Sequence, residues 1–345
     1  MLAAAVSHAA VSHAAVSHAL SPGCTTHLTW VQAIVVGFVQ GITELFPVSS
    51  LGHSVLIPEL FGWHDLVRSQ DCSESFWLAF VVALHVANAI ALLAFFWRDW
   101  VRIIKGFFTS LVKRRAETSS ERLAWLIIVA TIPVGIAGLL LEHKVRTLLA
   151  KPTSAAIFLA INGVILLAGQ RVRNRSATGH SRPSRLQSSA VAAARTGPGG
   201  TGGSGEGDSA AVDVSARVAR LPYREALLIG VVQISALIAG ISRDGVTMVT
   251  GLVRGLDNED AAKFAFLLAT PPILAAGLLK IGDLTGPLGA GVRGQIIAGA
   301  VVTFVASLFA VRYLTRFFQN RTLTPFGIYC VVFGIFMVIF VAAGG

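Results

Sequence analysis

Apolar residues fall in long blocks of two kinds, separated by polar stretches. Clean runs cover 77–97, 123–141, 154–170, 262–280, 291–311 and 324–343. Each is near the roughly 20 residues that a helix needs to cross a bilayer. Two further blocks, 29–61 and 225–255, are apolar but broken by residues such as Gly, Ser and Asp. The order is broken block, three spans, polar linker, broken block, three spans. This pattern predicts an all-α polytopic membrane protein with six transmembrane helices and two re-entrant helix hairpins.

The broken blocks share an internal repeat. The first reads Gly37-x-x-Gln40, then eight residues, then Ser49-x-x-Gly52. The second reads Gly230-x-x-Gln233, then eight residues, then Ser242-x-x-Gly245. Paired interrupted segments in two halves point to a binding site at the repeat interface. Lys and Arg concentrate in 98–122, 171–222 and 312–323, which the positive-inside rule makes cytoplasmic. Each half then has an odd number of crossings, so the halves form an inverted repeat, the first hairpin dipping in from outside and the second from inside. If 29–61 crossed fully, that inversion would weaken.

Four regions follow. Residues 1–27, with an Ala-Val-Ser-His unit of period five, are a low-complexity tail expected to be disordered. Residues 28–170 are the first membrane repeat and 223–345 the second. Residues 171–222, rich in Gly, Ser, Ala and Arg, are a linker too polar to bury a core, and disorder is expected there too.

Composition supports lipid as the solvent. Hydrophobic residues make up 54% of the chain and charged residues 13%, against about 25% charged in soluble domains. The net charge of +10 reads as positive-inside loops. No nucleic-acid partner is expected, because no aromatics interleave with the basic loops. Trp63, Trp77, Trp97 and Trp100 lie near span ends and read as interface anchors. Cys24 and Cys72 fall on the same expected outer side, where a disulfide is allowed; Cys330 reads as a packed apolar residue.

Ionisable groups at membrane depth are expensive and mark function by default. Glu44 and His53 sit in the first broken block, and Gln40 and Glu44 share a helix face. Pro47 ends that helix, and Ser49, Ser50 and Gly52 then form a turn with free N–H groups, a ready anion site. In the second block Ser242, Arg243 and Gly245 form a matching turn, and a guanidinium fork suits phosphate oxygens. Together these groups supply acid/base, nucleophilic and anion-stabilising chemistry. The plainer alternatives are a Glu44–His53 pair inside a bundle, an Arg243–Asp244 ion pair, and serines as interhelical glue. His85, mid-span without a motif, reads as packing.

The segment Gln40–His53 resembles the (Glu/Gln)-x-x-x-Glu and Pro-Val-Ser-Ser-x-Gly-His motifs of the undecaprenyl-diphosphate phosphatase family, the bacitracin-resistance type. Gly240–Gly245 is similar to that family's Pro-Gly-x-Ser-Arg-Ser-Gly motif, and Phe264–Pro272 to its Phe-to-Pro segment. The resemblance covers about 29–343. It implies hydrolysis of undecaprenyl diphosphate to undecaprenyl phosphate and inorganic phosphate, which recycles the cell-wall lipid carrier and confers bacitracin resistance. It also implies roles. Glu44 and Gln40 would bind a divalent cation, Mg2+ or Ca2+, or position water. Ser49 and Ser50 would hold the diphosphate, with Ser50 or His53 as nucleophile or base. Arg243 would clamp the diphosphate and Ser242 assist, with Gly52 and Gly245 in the binding turns. Three positions depart from the family pattern: Ala239 stands for Pro, Asp244 for Ser, and Leu51 for Thr or Ser. The implied setting is the bacterial plasma membrane, with the site open to the outer face. The implied partners are the lipid substrate and membrane lipids, and a homodimer is allowed. The rival reading is a transporter or flippase of a lipid phosphate, because inverted repeats with broken helices are also transporter architecture.

Overall fold

The structure, a computed structural model, describes residues 27–68, 76–149, 151–180, 217–279 and 291–344. The described residues are helical, with no strand among them. The first half comprises α1 (Trp30–Thr43), α2 (Ser50–Leu60), α3 (His64–Arg68), α4 (Phe76–Phe95), α5 (Trp97–Lys113), α6 (Ser119–Leu149) and α7 (Pro152–His180). The second comprises α8 (Tyr223–Val232), a 3-10 turn (Gln233–Leu237), α9 (Arg243–Val253), α10 (Asn258–Leu279), α11 (Arg293–Asn320) and α12 (Thr324–Ala342).

Length and composition allow four described stretches to cross a membrane: Ser119–Leu141, Pro152–Arg175, Arg293–Asn320 and Thr324–Ala342. They expose large apolar side chains outward: Leu139 is 75% exposed, Phe309 72% and Ile339 64%. A bundle that is apolar outside as well as inside is one solvated by lipid. The expected spans at 77–97 and 262–280 fall on α4 and α10. α4 meets α5 at 86°, and the pair adds a fifth span if taken as one bent element. Residues 261–270 of α10 are all buried, so its apolar surface meets protein on every side. α1 has 14 residues, about 21 Å of helix against ~30 Å of hydrocarbon. It is too short to cross alone.

The packing exchanges elements between the halves. α1 packs on α11, and its counterpart α8 packs on α6, the counterpart of α11. α4 faces its counterpart α10, and α7 faces its counterpart α12. These pairings are those of two halves related by a pseudo-two-fold axis. The repeated glycines explain the close approach. A Cβ on Gly37 would lie 2.5 Å from the Gly299 carbonyl oxygen, and one on Gly230 would lie 2.4 Å from that of Ala130. Between apolar helices in lipid, close packing and interhelical hydrogen bonds hold the bundle together. Thr303 Oγ1 donates to Gly37 O (2.8 Å) and Ser307 Oγ to Gly41 O (3.2 Å), while Ser307 also meets Asn88 of α4.

Several expectations change. α7 runs to His180, ten residues into the expected linker. At its other end, Val218 and Leu221 are buried, and Arg217 forms a two-pronged ion pair with Asp260 at 2.6 and 2.8 Å. These residues have apolar and charged partners that composition alone does not show; residues 181–216 lie outside the described ones. Trp97 is exposed as an anchor should be, but Trp77 is only 3% exposed and packs edge-on to Phe80. Cys330 is buried and unpaired, whereas Cys24, Cys72 and residues 1–26 lie outside the described residues.

The crossing at Gly37 makes a testable demand. Alanine ordinarily favours a helix over glycine, so Gly135→Ala, which meets nothing within 4 Å, is expected to leave the melting temperature in detergent unchanged or raised. Gly37→Ala and Gly230→Ala are expected to destabilise by about 1–3 kcal/mol through overpacking. Equal melting of all three variants would show that the crossings are not tight.

Candidate active site

The first turn follows from the end of α1. Gln40 and Glu44 lie one helical turn apart, and Gln40 Nε2 donates to Glu44 Oε2 at 2.8 Å. The chain then reverses through Pro47 and Ser49. Ser49 has φ 68, a left-handed conformation rare for a residue with a side chain. Such strain persists only where the surroundings impose it, and it gathers at functional sites. Ser49 caps α2: its Oγ accepts from Gly52 N–H at 3.2 Å. The same oxygen accepts from Gly240 N–H in the second turn at 3.1 Å.

The second turn repeats the device. Ser242 caps α9, with its Oγ accepting from Gly245 N–H at 3.0 Å. Asn162 of α7 joins the two turns: its Oδ1 accepts from Ser242 N–H and its Nδ2 donates to Pro47 O, both at 3.0 Å. The repeated Ser-x-x-Gly is therefore a pair of helix caps, tied to each other by one serine oxygen and one amide.

The residues that follow the two caps, Ser50 and Arg243, occupy equivalent repeat positions, and both reach Glu44. Ser50 Oγ donates to Glu44 Oε2 at 2.5 Å. Arg243 donates to Glu44 Oε1 at 2.5 Å. His85 of α4 lies 3.3 Å from Glu44 and from Gln40. A single carboxylate, 5% exposed at its side chain, thus gathers a serine, an arginine, a histidine and an amide. The N-termini of α2 and α9 abut it, and such termini carry partial positive charge. Asp244 is buried beside Arg243, 3.8 Å from its Nε, and neither carboxylate oxygen has a hydrogen-bond partner.

Gln40, Glu44, Ser49, Ser50, Gly52, Ser242, Arg243 and Gly245 are brought together, but His53, expected as nucleophile or base, does not meet Glu44, and the plainer Glu44–His53 pair does not form either. His53 Nδ1 meets Ser49 O and its Nε2 meets Tyr329 Oη, each at 2.8 Å. The ring stacks on Tyr329 and Phe333 of α12. Four residues beyond Ser49 on a helix, His53 turns back to that carbonyl and toward α12 rather than to Glu44. It lines a small cleft with Val36, Gln40 and Pro58. The histidine on Glu44 is His85, to which sequence spacing assigned packing. Asn162 and Tyr329 carried no sequence signal except polarity inside an apolar span.

Among the described residues no three His, Cys, Asp or Glu side chains group as a metal cage. The donors present, the Glu44 carboxylate and the orphaned oxygens of Asp244, are hard oxygen ligands. Mg2+ is commonly held by one or two carboxylates, with water and substrate phosphates completing its shell, so the donor set fits such an ion.

The family model described as "Bacitracin resistance protein BacA" matches residues 33–336. An "Undecaprenyl-diphosphatase" of Mycolicibacterium paratuberculosis is 56% identical over 313 residues, covering 90% of this chain and 96% of the relative. An "Undecaprenyl-diphosphatase 2" of Frankia alni is 54% identical over 330 residues, covering 89% and 96%. One from Burkholderia ambifaria is 37% identical over 307 residues, covering 88% and 94%. The matched stretch takes in both capped turns and the helices that carry them, and the chain belongs to the BacA bacitracin resistance protein family.

Proposed function

We propose that the chain is an undecaprenyl-diphosphate phosphatase, releasing inorganic phosphate and undecaprenyl phosphate, and that bacitracin resistance follows from this turnover. The observation that carries the reading is the convergence of Ser50 and Arg243, from opposite halves, on one buried carboxylate. A transporter or flippase needs a polar site at depth, but it does not need a hydroxyl held against a base.

The chemistry follows from the contacts. A nucleophile and its base within hydrogen-bond reach are the mark of covalent catalysis. Ser50 Oγ attacks the terminal phosphorus as its proton passes to Glu44; the bridging P–O bond breaks and undecaprenyl phosphate leaves. Water then hydrolyses the phosphoserine and frees phosphate. Arg243 exchanges Glu44 for the diphosphate and follows the charge that builds on the phosphoryl oxygens. The N–H groups of Ser50, Leu51, Arg243 and Asp244, in the first turns behind the two caps, hold the rest of the headgroup. His85 and Gln40 keep the Glu44 carboxylate in place. His53, fixed by Tyr329, shapes the cleft beside Gln40. Glu44, with Gln40 and Asp244, would hold a divalent cation, Mg2+ or Ca2+; when bound, such an ion neutralises diphosphate charge. The site opens to the outer face of the bacterial plasma membrane. The basic segments 98–122, 171–222 and 312–323 lie in the cytoplasm, and a homodimer is the assembly to look for.

Phosphate release from undecaprenyl diphosphate in detergent tests the reading. Arg243→Ala is expected to lower kcat by about 10²–10³, and Glu44→Gln by about 10²–10⁴, with both proteins still inserted and monodisperse. Normal turnover in Arg243→Ala, or no phosphate release by the parent protein, would remove the assignment and favour a flippase.

Ser50→Ala separates two routes. Rapid quench with substrate labelled on the terminal phosphate should place label on the parent protein and none on the variant. Full turnover in Ser50→Ala would make Glu44 the base for a direct attack by water. Removing divalent cations with a chelator is expected to suppress phosphate release, with Mg2+ or Ca2+ restoring it. Undiminished release after chelation would show that Arg243 and the backbone N–H groups suffice.

A further inference from the structure

Away from the site, α5 has three faces. Asp99, Ile103, Gly106 and Ser110 turn inward. Val101, Ile104, Phe108 and Leu111 form an exposed apolar stripe, and Arg98, Arg102, Lys105 and Lys113 supply positive charge. The helix leaves α4 at 86°. Its composition is that of a basic amphipathic helix suited to a membrane interface.

The helix stops at Arg114, whose φ is 55. The N–H of Arg114 donates to Leu111 O at 3.3 Å, and that of Arg115 to Ser110 O at 3.2 Å, completing a left-handed cap. Glycine is the usual residue at such a cap, so backbone preference does not account for an arginine. Beyond the cap lies an open cleft of about 440 Å³, lined by Leu111, Arg114, Arg115, Trp125, Val129 and Tyr223. Trp125 is fixed as a wall by its bond to Ser110 Oγ at 2.9 Å. The neighbouring cations are engaged: Lys113 with Glu121 at 3.5 Å, and Arg122 with Ala219 O and the Tyr223 ring. Among the described residues no acidic side chain pairs with Arg114 or Arg115.

We propose that this cleft binds one anionic phospholipid. Its phosphodiester lies between Arg114 and Arg115, and an acyl chain runs over Trp125 and Val129. Leu111 belongs both to the exposed stripe and to the cleft, so the cleft is continuous with the lipid-facing surface. A soluble phosphate would use the two guanidinium groups and leave the apolar wall idle. Neither residue touches the catalytic turns, so the proposal stands apart from the proposed reaction.

Native mass spectrometry of the full-length protein in detergent tests this with dioleoyl phosphatidylglycerol and dioleoyl phosphatidylcholine, which share their chains. One phosphatidylglycerol is expected to bind more than about tenfold tighter than phosphatidylcholine, and Arg114→Gly and Arg115→Gln should each weaken it about fivefold, the worth of one basic residue at an anionic surface. Arg114→Gly relieves the left-handed backbone, so its lipid-free melting temperature should match or exceed the parent's. That separates lost binding from lost folding, and either variant alone decides. Equal retention of the two lipids, undiminished phosphatidylglycerol binding in the variants, or its displacement by equimolar inorganic phosphate would each overturn the proposal.

Discussion

Non-helical backbone inside a membrane bundle is tolerated only where its polar groups are satisfied within the protein or face a wet cavity. Two such turns meet in this chain, and three side chains satisfy them. Ser49 and Ser242 each cap the helix that follows, and Ser49 also takes the Gly240 N–H of the opposite turn. Asn162 closes the ring between Pro47 and Ser242. Because these bonds fix the turns against each other, the first residues of α2 and α9 come to the same point. The strained Ser49 backbone is held there from both sides.

The pseudo-symmetry of the frame does not extend to its chemistry. Equivalent caps hold Ser50 in one half and Arg243 in the other, and the position matching Glu44 is Leu237. The glutamines of the repeat also part ways. Gln40 braces the acid, whereas Gln233 leads into a 3-10 turn and leaves its carbonyl oxygen without a partner. One half carries the carboxylate and the hydroxyl and the other carries the guanidinium, so neither holds the whole cluster. Unequal neighbours around a common centre give a bound headgroup two distinguishable ends, as a displacement with one leaving group requires.

Hydropathy blocks and the four-residue repeat made the all-helical plan and both turns legible. Spacing placed Gln40 beside Glu44, and Arg243 was conspicuous as a cation inside an apolar block. What stayed hidden was long-range. Nothing near His85 or Asn162 in sequence announces that α4 and α7 deliver them to these turns. Nor does spacing reveal that His53 turns to Tyr329, 276 positions away. The ends of 171–222 elude composition for a similar reason: it registers their polarity but not the Arg217–Asp260 pair or the buried Val218. Local rules fix caps and faces, while the identity of a buried partner depends on which helices pack.

The exchange of short helices between the halves bears on how the protein is made. Chains emerge N-terminus first, so α1 enters the membrane long before α11, the helix whose Gly299 it needs for its close crossing. At that stage its carboxylate has no arginine and its turn no asparagine, because Asn162 follows only with α7 and Arg243 only with α9. The last helices to arrive, α11 and α12, then bring the Gly299 surface that α1 crosses and the Tyr329 that holds His53, closing the packing around a site begun by the first.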